Sequence, residues 1–287
     1  MPLLLTIDSV VSRALEEDLA SGDLTSEACV GESAVARAEA IARHEMIACG
    51  GDVFRRVFQL VDPSSEVILV KGDGVLVRAG EVLWQARGKA RSLLMAERVA
   101  LNFAQRMSGI ATLAHRYASA IPAGSTTRIA DTRKTTPGLR ALERYAVRTG
   151  GAHNHRDDLG SAVMIKDNHI VAAGGIAAAV VRARARAPHT CRVEVEVTNP
   201  AELEEALAAG ADIVMLDNMD DDAVRAAVAR CRAEGTPPRG PVVEASGGIT
   251  LERIPRLAAA GVDVISVGAL THSAPAADIS LEFTPAS

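Results

Sequence analysis

Polar and charged residues follow a series of short apolar runs in the second half of the sequence. The runs read TRIADT, AVMIKD, VEVEVT, DIVMLDN, VVEAS and VISVGA. If they are parallel strands, their carboxyl ends meet on one face of the fold, where the side chains act together. The polar residues at these ends are Arg133, Lys134, Lys166, Asp167, Asn168, His169, Glu194, Glu196, Asp217, Asn218, Ser246, Gly247 and Gly248. The pattern predicts one site built from cations, carboxylates and glycine turns.

Cations are concentrated between residues 128 and 156 of a chain whose net charge is −5. Arginine matches carboxylate or phosphate oxygens two at a time, and lysine offers a compact charge. Three arginines at four-residue spacing are predicted to line a solvated helix face: Arg140, Arg144 and Arg148. The basic residues beside Gly, Pro or His are predicted to bind an anion: Arg133, Lys134 and Arg156.

The carboxylates suggest a magnesium site. Glu194 and Glu196 are two residues apart in one run, so as strand residues they face the same way. If they face inward, they need a cation or a hydroxyl-rich ligand to balance them. Together with Asp217 they resemble a site for Mg²⁺ with a ribose or pyrophosphate, because magnesium is usually held by one or two carboxylates plus substrate phosphates. The residues alone leave open an outward-facing, solvated pair.

Two glycine turns end the last two runs, at Ser246-Gly247-Gly248 and at Val267-Gly268-Ala269. Backbone N–H groups at such turns and helix starts bind phosphate, and the final strands of barrels often carry this function. One turn is weak support for a phosphate site. Two turns in consecutive strands favour it.

Other site chemistries are disfavoured. His153, His155 and His169 have no cysteine or carboxylate at zinc-like spacing, so anion binding is favoured over metal binding. The four cysteines form no C-x-x-C pair and are predicted to be free thiols. Nucleophile-elbow, P-loop and dinucleotide fingerprints are missing from the sequence.

The composition of the chain limits which binding partners and which cellular compartment we expect. The acidic net charge and an aromatic content of 2% argue against nucleic-acid binding. No apolar run is long enough to span a membrane, and residues 1–11 lack a basic leader or a small-residue cleavage site. We therefore expect a cytoplasmic protein that does not enter membranes.

The helices and strands that must position the site follow two different sequence patterns, one in each half of the chain. Helical spacing over Leu4–Leu19 and Ser92–Tyr117 flanks an alternating segment, Val67–Ala86, that predicts antiparallel strands. From about Ile121 the six apolar runs alternate with helical patterns, which predicts a parallel sheet, either a barrel or an open doubly wound sheet. Six strands are fewer than the eight of a complete barrel. The later helices are predicted at Gly174–Ala187, Pro200–Ala209, Asp221–Glu234 and Leu251–Ala260.

Several strings in this order resemble the quinolinate phosphoribosyltransferase family. They are Asp131-Thr-Arg-Lys-Thr-Thr-Pro-Gly138, Gly151-Ala-His-Asn-His-Arg156, Ile165-Lys-Asp-Asn-His169, Glu194-Val-Glu196, Leu216-Asp-Asn218, Ser246-Gly-Gly248 and Val267-Gly-Ala-Leu-Thr-His272. Gly22-Asp-Leu-Thr-Ser26 and Ala96-Glu-Arg-Val-Ala-Leu-Asn102 extend the likeness over nearly the whole chain. Any one string is modest support, and seven in order are strong.

The resemblance implies an α/β protein with an N-terminal α/β sandwich, residues 1–112, and a C-terminal incomplete, irregular α/β barrel, residues 113–287. It implies transfer of a phosphoribosyl group from 5-phosphoribosyl 1-pyrophosphate to quinolinate with loss of CO₂, giving nicotinate mononucleotide for NAD biosynthesis. Mg²⁺ is the implied cofactor. A homodimer is implied, in which the N-terminal domain of one subunit caps the barrel of the other.

The resemblance also assigns residues by motif position. The quinolinate carboxylates would be held by Arg133, His155, Arg156 and Lys166, completed by Thr132 and Lys134, with Arg98 reaching in from the partner subunit. The ribose hydroxyls and Mg²⁺ would be bound by Glu196 and Asp217. The 5′-phosphate would be bound by Ser246, Gly247, Gly248, Val267, Gly268 and Ala269. Lys134 or Lys166 would assist decarboxylation.

Two other functions stay open at this point. A transferase of the same fold, associated with molybdenum-transport operons, would use a different acceptor. A barrel that senses phosphosugars without catalysis would have no need of Glu196, Asp217 and Lys166. The complete His-Asn-His-Arg and Lys-Asp-Asn-His strings favour quinolinate.

Overall fold

The computed structural model describes residues 2, 4–236 and 240–285. The strands are β1 (Val35–Ala42), β2 (Met46–Ile47), β3 (Glu66–Leu69), β4 (Leu76–Val77), β5 (Val82–Lys89), β6 (Arg128–Ala130), β7 (Val163–Ile165), β8 (Val193–Val197), β9 (Ile213–Asp217), β10 (Val242–Ser246), β11 (Val264–Ser266) and β12 (Ile279–Pro285).

The helices are α1 (Leu4–Leu19), α2 (Leu24–Cys29), α3 (Gly51–Val61), α4 (Ala90–Ser119), α5 (Arg140–Thr149), α6 (Asp167–Ala173), α7 (Ile176–Arg186), α8 (Pro200–Ala208), α9 (Asp221–Ala233), α10 (Ile254–Ala260) and α11 (Ala269–His272). A 3₁₀ turn, Leu251–Arg253, precedes α10. Among the described helices, none is long and apolar enough to cross a membrane.

Two units share the chain, and each is assembled from separate stretches of sequence. The first contains the chain up to His115, the segment Thr135–Gly151 and the segment from Ala269 onward. The second contains Arg116–Lys134 and Ala152–Gly268.

The first unit is built on an antiparallel sheet in the order β12-β1-β5-β3, with a small β2-β4 pair beside it. Alternate residues of β1 are buried, as expected for a sheet with one covered face. Trp84 of β5 packs against Phe54 of α3, with ring centroids 5.0 Å apart. Tyr145 donates a hydrogen bond to Asp73, which also caps the start of α3 by accepting from Gly50 and Gly51.

The second unit is a parallel six-stranded sheet in the order β6-β11-β10-β9-β8-β7. Its strands are the six apolar runs of the sequence, so the predicted incomplete barrel is confirmed. Local capping starts the helices directly after strands: Asn199 accepts from the Glu202 N–H before α8, and Asp220 accepts from Ala223 before α9. Because all six strands are parallel, their carboxyl ends lie at one edge of the sheet.

One helical prediction needs correction. The arginines at four-residue spacing do lie on a helix, α5, but they do not share a solvated face. Arg144 is only 9% exposed, Arg140 is half-buried, and Arg148 is the one exposed residue of the three. Spacing identifies a helix face, but it does not say whether another element covers that face.

Candidate active site

A cavity of about 430 Å³ opens at the carboxyl ends of the parallel strands, within the second unit. This volume suits a small-molecule ligand. The lining residues are Thr132, Arg133, Lys134, His155, Arg156, Met164, Lys166, Glu196, Met215, Asp217, Ser246 and Ser266. Nine of these twelve are residues that the sequence predicted for the site.

Each strand delivers its residues where it ends. Thr132, Arg133 and Lys134 follow β6, and Lys166 follows β7 as the residue that caps α6. Glu196 lies near the end of β8, and its register partner on β9 is Met215. Asp217 ends β9, Ser246 ends β10 and Ser266 ends β11, so the parallel order of the sheet gathers side chains from distant parts of the sequence.

Asp131 organises the segment that carries His155 and Arg156. Its buried carboxylate accepts hydrogen bonds from the Asn154 side chain at 2.5 Å and from the His155 backbone N–H at 2.7 Å. A backbone bridge between Ala130 and His153 continues the edge of β6 into this segment. A buried aspartate bonded to one backbone N–H and one side-chain amide holds this segment in place, because breaking either hydrogen bond would leave a buried charge poorly paired.

The cationic side chains of the cavity are arranged so that they could bind an anion. The Nε of Arg133 is buried and has no hydrogen-bond partner among the residues that the structure describes. Burial and the nearby charge of Arg133 together lower the pKa of Arg156 from its usual range. The two positive charges repel each other, and an anionic ligand bound to both would relieve the repulsion.

The carboxylate part of the cavity contains Glu196 and Asp217. Glu196 is ion-paired with the Lys166 ammonium, and its side chain is 13% exposed. Both carboxylates line the same cavity from neighbouring strands. A donor set of two carboxylates fits Mg²⁺, which takes its remaining ligands from water and substrate phosphates.

The turn after β10 is held against the turn after β9. The Asn218 N–H donates to the Ser246 carbonyl at 2.9 Å, and Asn218 has a φ of 56°. Gly247 has a φ of +84°, and a Cβ there would lie 2.8 Å from the Asn218 nitrogen. This close approach of two turns requires glycine at position 247.

His155 lies at the inner side of the cavity, and both of its ring nitrogens have partners. Nδ1 accepts from the Arg156 backbone N–H at 2.7 Å. Nε2 is 3.4 Å from Glu194 and 3.4 Å from Glu244, both of which are buried. His169, by contrast, caps α6 by accepting from the Lys166 N–H.

The remaining predicted residues are not in the cavity lining. Gly247 and Gly248 directly follow Ser246, and Val267 and Gly268 directly follow Ser266, so they border the two lining residues that end β10 and β11. Ala269 starts α11 in the first unit. Arg98 is exposed on α4, also in the first unit.

Sequence reasoning missed four residues at or beneath the cavity. Met164, Met215 and Ser266 line it, and Glu244 lies beneath His155. Alternation within the strands carries the signal that could have found them, because residues two apart on a strand face the same way. Glu244 is two residues before Ser246, and Met215 two before Asp217.

Comparisons with known proteins agree with this architecture. Family models described as the N-terminal and C-terminal domains of quinolinate phosphoribosyl transferase match residues 23–108 and 110–282. A Bacillus subtilis relative, named probable nicotinate-nucleotide pyrophosphorylase (carboxylating), is 44% identical over 98% of this chain and 94% of its own. A human relative, nicotinate-nucleotide pyrophosphorylase (carboxylating), is 40% identical over 96% and 91%. The Francisella tularensis nicotinate-nucleotide pyrophosphorylase structure superposes with a TM-score of 0.90 at 41% identity, covering 97% and 96%. The chain belongs to the quinolinate phosphoribosyltransferase family.

Proposed function

We propose that this enzyme transfers the phosphoribosyl group of 5-phosphoribosyl 1-pyrophosphate to quinolinate and releases pyrophosphate and CO₂. The product is nicotinate mononucleotide. The observation that carries the proposal is a single cavity, in a chain of this family, that joins four cationic side chains to two carboxylates at the ends of parallel strands. A dicarboxylate acceptor suits the cations, and a phosphoribosyl donor with its metal suits the carboxylates.

The acceptor is held by the cationic part of the cavity. Arg133, Arg156 and Lys166 bind its two carboxylates, and Thr132 and Lys134 complete the pocket. The unpartnered Nε of Arg133 supports this assignment, because a buried donor without an acceptor is costly until a ligand supplies one. Because both carboxylates are bound, the pyridine nitrogen is oriented toward the sugar.

The donor is held by the ends of β8 to β11. Glu196 and Asp217 bind the ribose hydroxyls and would hold Mg²⁺, which when bound neutralises charge on the pyrophosphate. The 5′-phosphate is bound at the turns that follow β10 and β11. The residues proposed for it are Ser246, Gly247, Gly248, Val267, Gly268 and Ala269.

The reaction needs positioning and electrostatic stabilisation but no protein nucleophile. The bond between the sugar carbon and the pyrophosphate oxygen breaks with its electron pair on pyrophosphate. The pyridine nitrogen then bonds to the sugar carbon. The ring nitrogen becomes positive, so the adjacent carboxylate leaves as CO₂ and its bonding electrons stay on the ring carbon. A proton completes that carbon, and Lys134 and Lys166 are the ammonium groups of the cavity that can deliver it.

The test is release of CO₂ and pyrophosphate from purified protein given quinolinate, 5-phosphoribosyl 1-pyrophosphate and Mg²⁺. We expect equal release of both products with quinolinate. Nicotinate and phthalate serve as parallel acceptors, because each lacks one feature of quinolinate, either a carboxylate or the ring nitrogen. Tight binding of the donor without product release from quinolinate would contradict the proposal and point to another acceptor.

We also propose a homodimer in which Arg98 of the partner subunit completes the acceptor pocket. Arg98 is an exposed cation on a long helix and does not line the cavity of its own chain. Arg98→Ala and Lys166→Ala should each be nearly inactive, whereas coexpression should restore about a quarter of the sites if subunits pair at random. Heterodimers that form without recovering activity would contradict a shared site.

A further inference from the structure

Two buried glutamates hold one histidine beneath the cavity. Glu194 of β8 and Glu244 of β10 lie on either side of β9 in the sheet, and both approach the Nε2 of His155 to 3.4 Å. Their side chains are 3% and 4% exposed, and that of His155 is 13% exposed. Neither glutamate lines the cavity, so neither is placed to touch a ligand there.

Further contacts fix this cluster, which we call the His155 support (His155, Glu194 and Glu244). The Ser266 hydroxyl donates to Glu244 from the end of β11. Asp131 accepts the backbone N–H of His155, and the backbone N–H of Arg156 donates to Nδ1. The imidazole is therefore held at both nitrogens and at its backbone, and the residue that follows it is the cavity arginine Arg156.

The charges of the His155 support favour a proton on Nε2. Burial opposes a charge on His155, but the hydrogen bonds with Glu194 and Glu244 outweigh it and raise the pKa of His155 to about 10. Burial raises the pKa of Glu194, and the charge of Glu244 adds to that rise. The raised pKa favours the imidazolium, with a proton on each ring nitrogen, whereas the Arg156 N–H that donates to Nδ1 keeps this nitrogen unprotonated. In both forms Nε2 carries a proton, which faces the two carboxylates.

A metal ion is the alternative ligand for these three side chains. Their ligand atoms lie within 4.8 Å of one another, a spacing that one divalent ion could bridge. A metal on Nε2 leaves the ring proton on Nδ1, which normally donates to a carboxylate or carbonyl. Here Nδ1 faces the Arg156 N–H, so two donors would meet at 2.7 Å. The backbone therefore disfavours a metal in the His155 support.

We propose that Glu194 and Glu244 are positioning residues: they hold the Nε2–H of His155 from two sides, and His155 fixes the backbone from which Arg156 reaches the acceptor. The inference rests on the proposed function, because that function assigns the acceptor carboxylates to Arg156. In this inference His155 supports Arg156, because both of its ring nitrogens are engaged within the protein, which departs from the carboxylate-binding role that the family resemblance implied for His155. Small displacements of a binding arginine weaken ligand binding strongly, because bidentate contacts need fixed geometry.

The kinetic test uses Glu194→Gln, Glu244→Gln and the double variant, which keep side-chain volume and remove charge. We expect the double variant to raise KM for quinolinate about tenfold while KM for 5-phosphoribosyl 1-pyrophosphate and kcat change less than about threefold, the pattern of lost substrate binding. Glu143→Gln is the matched control, because Glu143 is 1% exposed and paired with Arg106 in the first unit. It should lower Tm without changing either KM.

A second readout does not depend on activity. In protein labelled with ¹⁵N-histidine, the Nε2 of His155 should carry a proton at every pH from about 6 to 9, given the two adjacent carboxylates; His155→Gln assigns the signal. An unprotonated Nε2 at neutral pH, or tightly bound metal that Glu194→Gln removes, would overturn the inference. Equal rises in KM for both substrates would also overturn it. A wild-type protein inactive on quinolinate but protonated at Nε2 would instead contradict the proposed function alone.

Discussion

Lys166 and Glu196 are ion-paired with each other, although the proposed function assigns them to different substrates. Lys166 must turn to the acceptor carboxylate, and Glu196 must turn to the ribose and the metal. Either substrate therefore has to break the pair, and the second substrate finds its residue already free. Such linkage makes the binding of the two substrates mutually favourable.

Glu196→Gln should tighten binding of quinolinate to the free enzyme, because it releases Lys166 in advance. A partly exposed ion pair is worth up to about 1 kcal/mol, so we expect a decrease in Kd of about threefold by calorimetry. Asp217→Asn is the control, since it also removes a negative charge from the cavity but leaves the Lys166–Glu196 pair intact. Equal tightening in both variants would show a general charge effect and contradict the linkage.

Gly247→Ala should damage the donor side of the site. Its φ of +84° is strained for alanine, and the added Cβ would lie 2.8 Å from the Asn218 nitrogen. We expect KM for 5-phosphoribosyl 1-pyrophosphate to rise about tenfold, because the two turns must separate, a strain of ~1–3 kcal/mol.

Gly210→Ala is the control for Gly247→Ala. Gly210 also has a positive φ, +76°, but nothing lies within 4 Å of its added Cβ. The Gly210→Ala variant should lose about 1 kcal/mol of stability and leave both KM values unchanged. If Gly247→Ala also leaves KM unchanged, the turn after β10 does not bind the donor.

Arg253 connects elements at the turns after β9 and β10, which border the proposed donor site and are called the donor turns below. From the 3₁₀ turn its guanidinium bonds Asp221 of α9 at 2.7 Å and donates to the carbonyls of Met219 and Gly247. One side chain thus joins the turns after β9 and β10 to the start of a helix. Lysine cannot reproduce this set of contacts, because it lacks the planar fork of donors.

Arg253→Lys should raise KM for 5-phosphoribosyl 1-pyrophosphate several-fold and leave KM for quinolinate unchanged in steady-state assays. Arg256→Lys is the matched control: Arg256 also pairs with Asp221, at 3.2 Å, but its side chain is 63% exposed. The control should behave like the wild type. A rise in KM for quinolinate in Arg253→Lys would show that the disturbance is not confined to the donor turns.

At the scale of elements, periodicity predicted the second unit better than the first. All six predicted parallel strands are present, because buried β-branched runs bounded by turns are a strong local signal. Strand β1 was not predicted: its Ala-Arg-Ala-Glu alternation also suits a helix. Strand β12 was not predicted because it is fixed by pairing with β1, some 240 residues away, which a local pattern does not contain.

At the scale of the whole molecule, the family resemblance predicted more of the site than the residue patterns did. The residue patterns alone predicted a site that contains cations and carboxylates and binds phosphate. They did not identify the acceptor substrate. The family and the fold class are confirmed. The His155 support escaped both approaches, because a histidine between two carboxylates is a three-dimensional arrangement of three distant segments. The dimer and the roles of individual residues stay predictions.

The four cysteines report on the integrity of the whole molecule, since they are free thiols spread over both units. Cys49 and Cys231 are fully buried, and burial raises the pKa of each thiol, that of Cys231 to about 11. Cys29 is exposed and Cys191 is half-buried.

Because thiolates are the reactive form, Ellman's reagent at pH 8 should modify Cys29 and Cys191 in the native enzyme, and all four cysteines after unfolding in guanidinium. Cys29→Ser should remove one of the fast thiols. Rapid modification of Cys49 or Cys231 in the native enzyme would mean that its unit opens readily in solution, contrary to the packing described above.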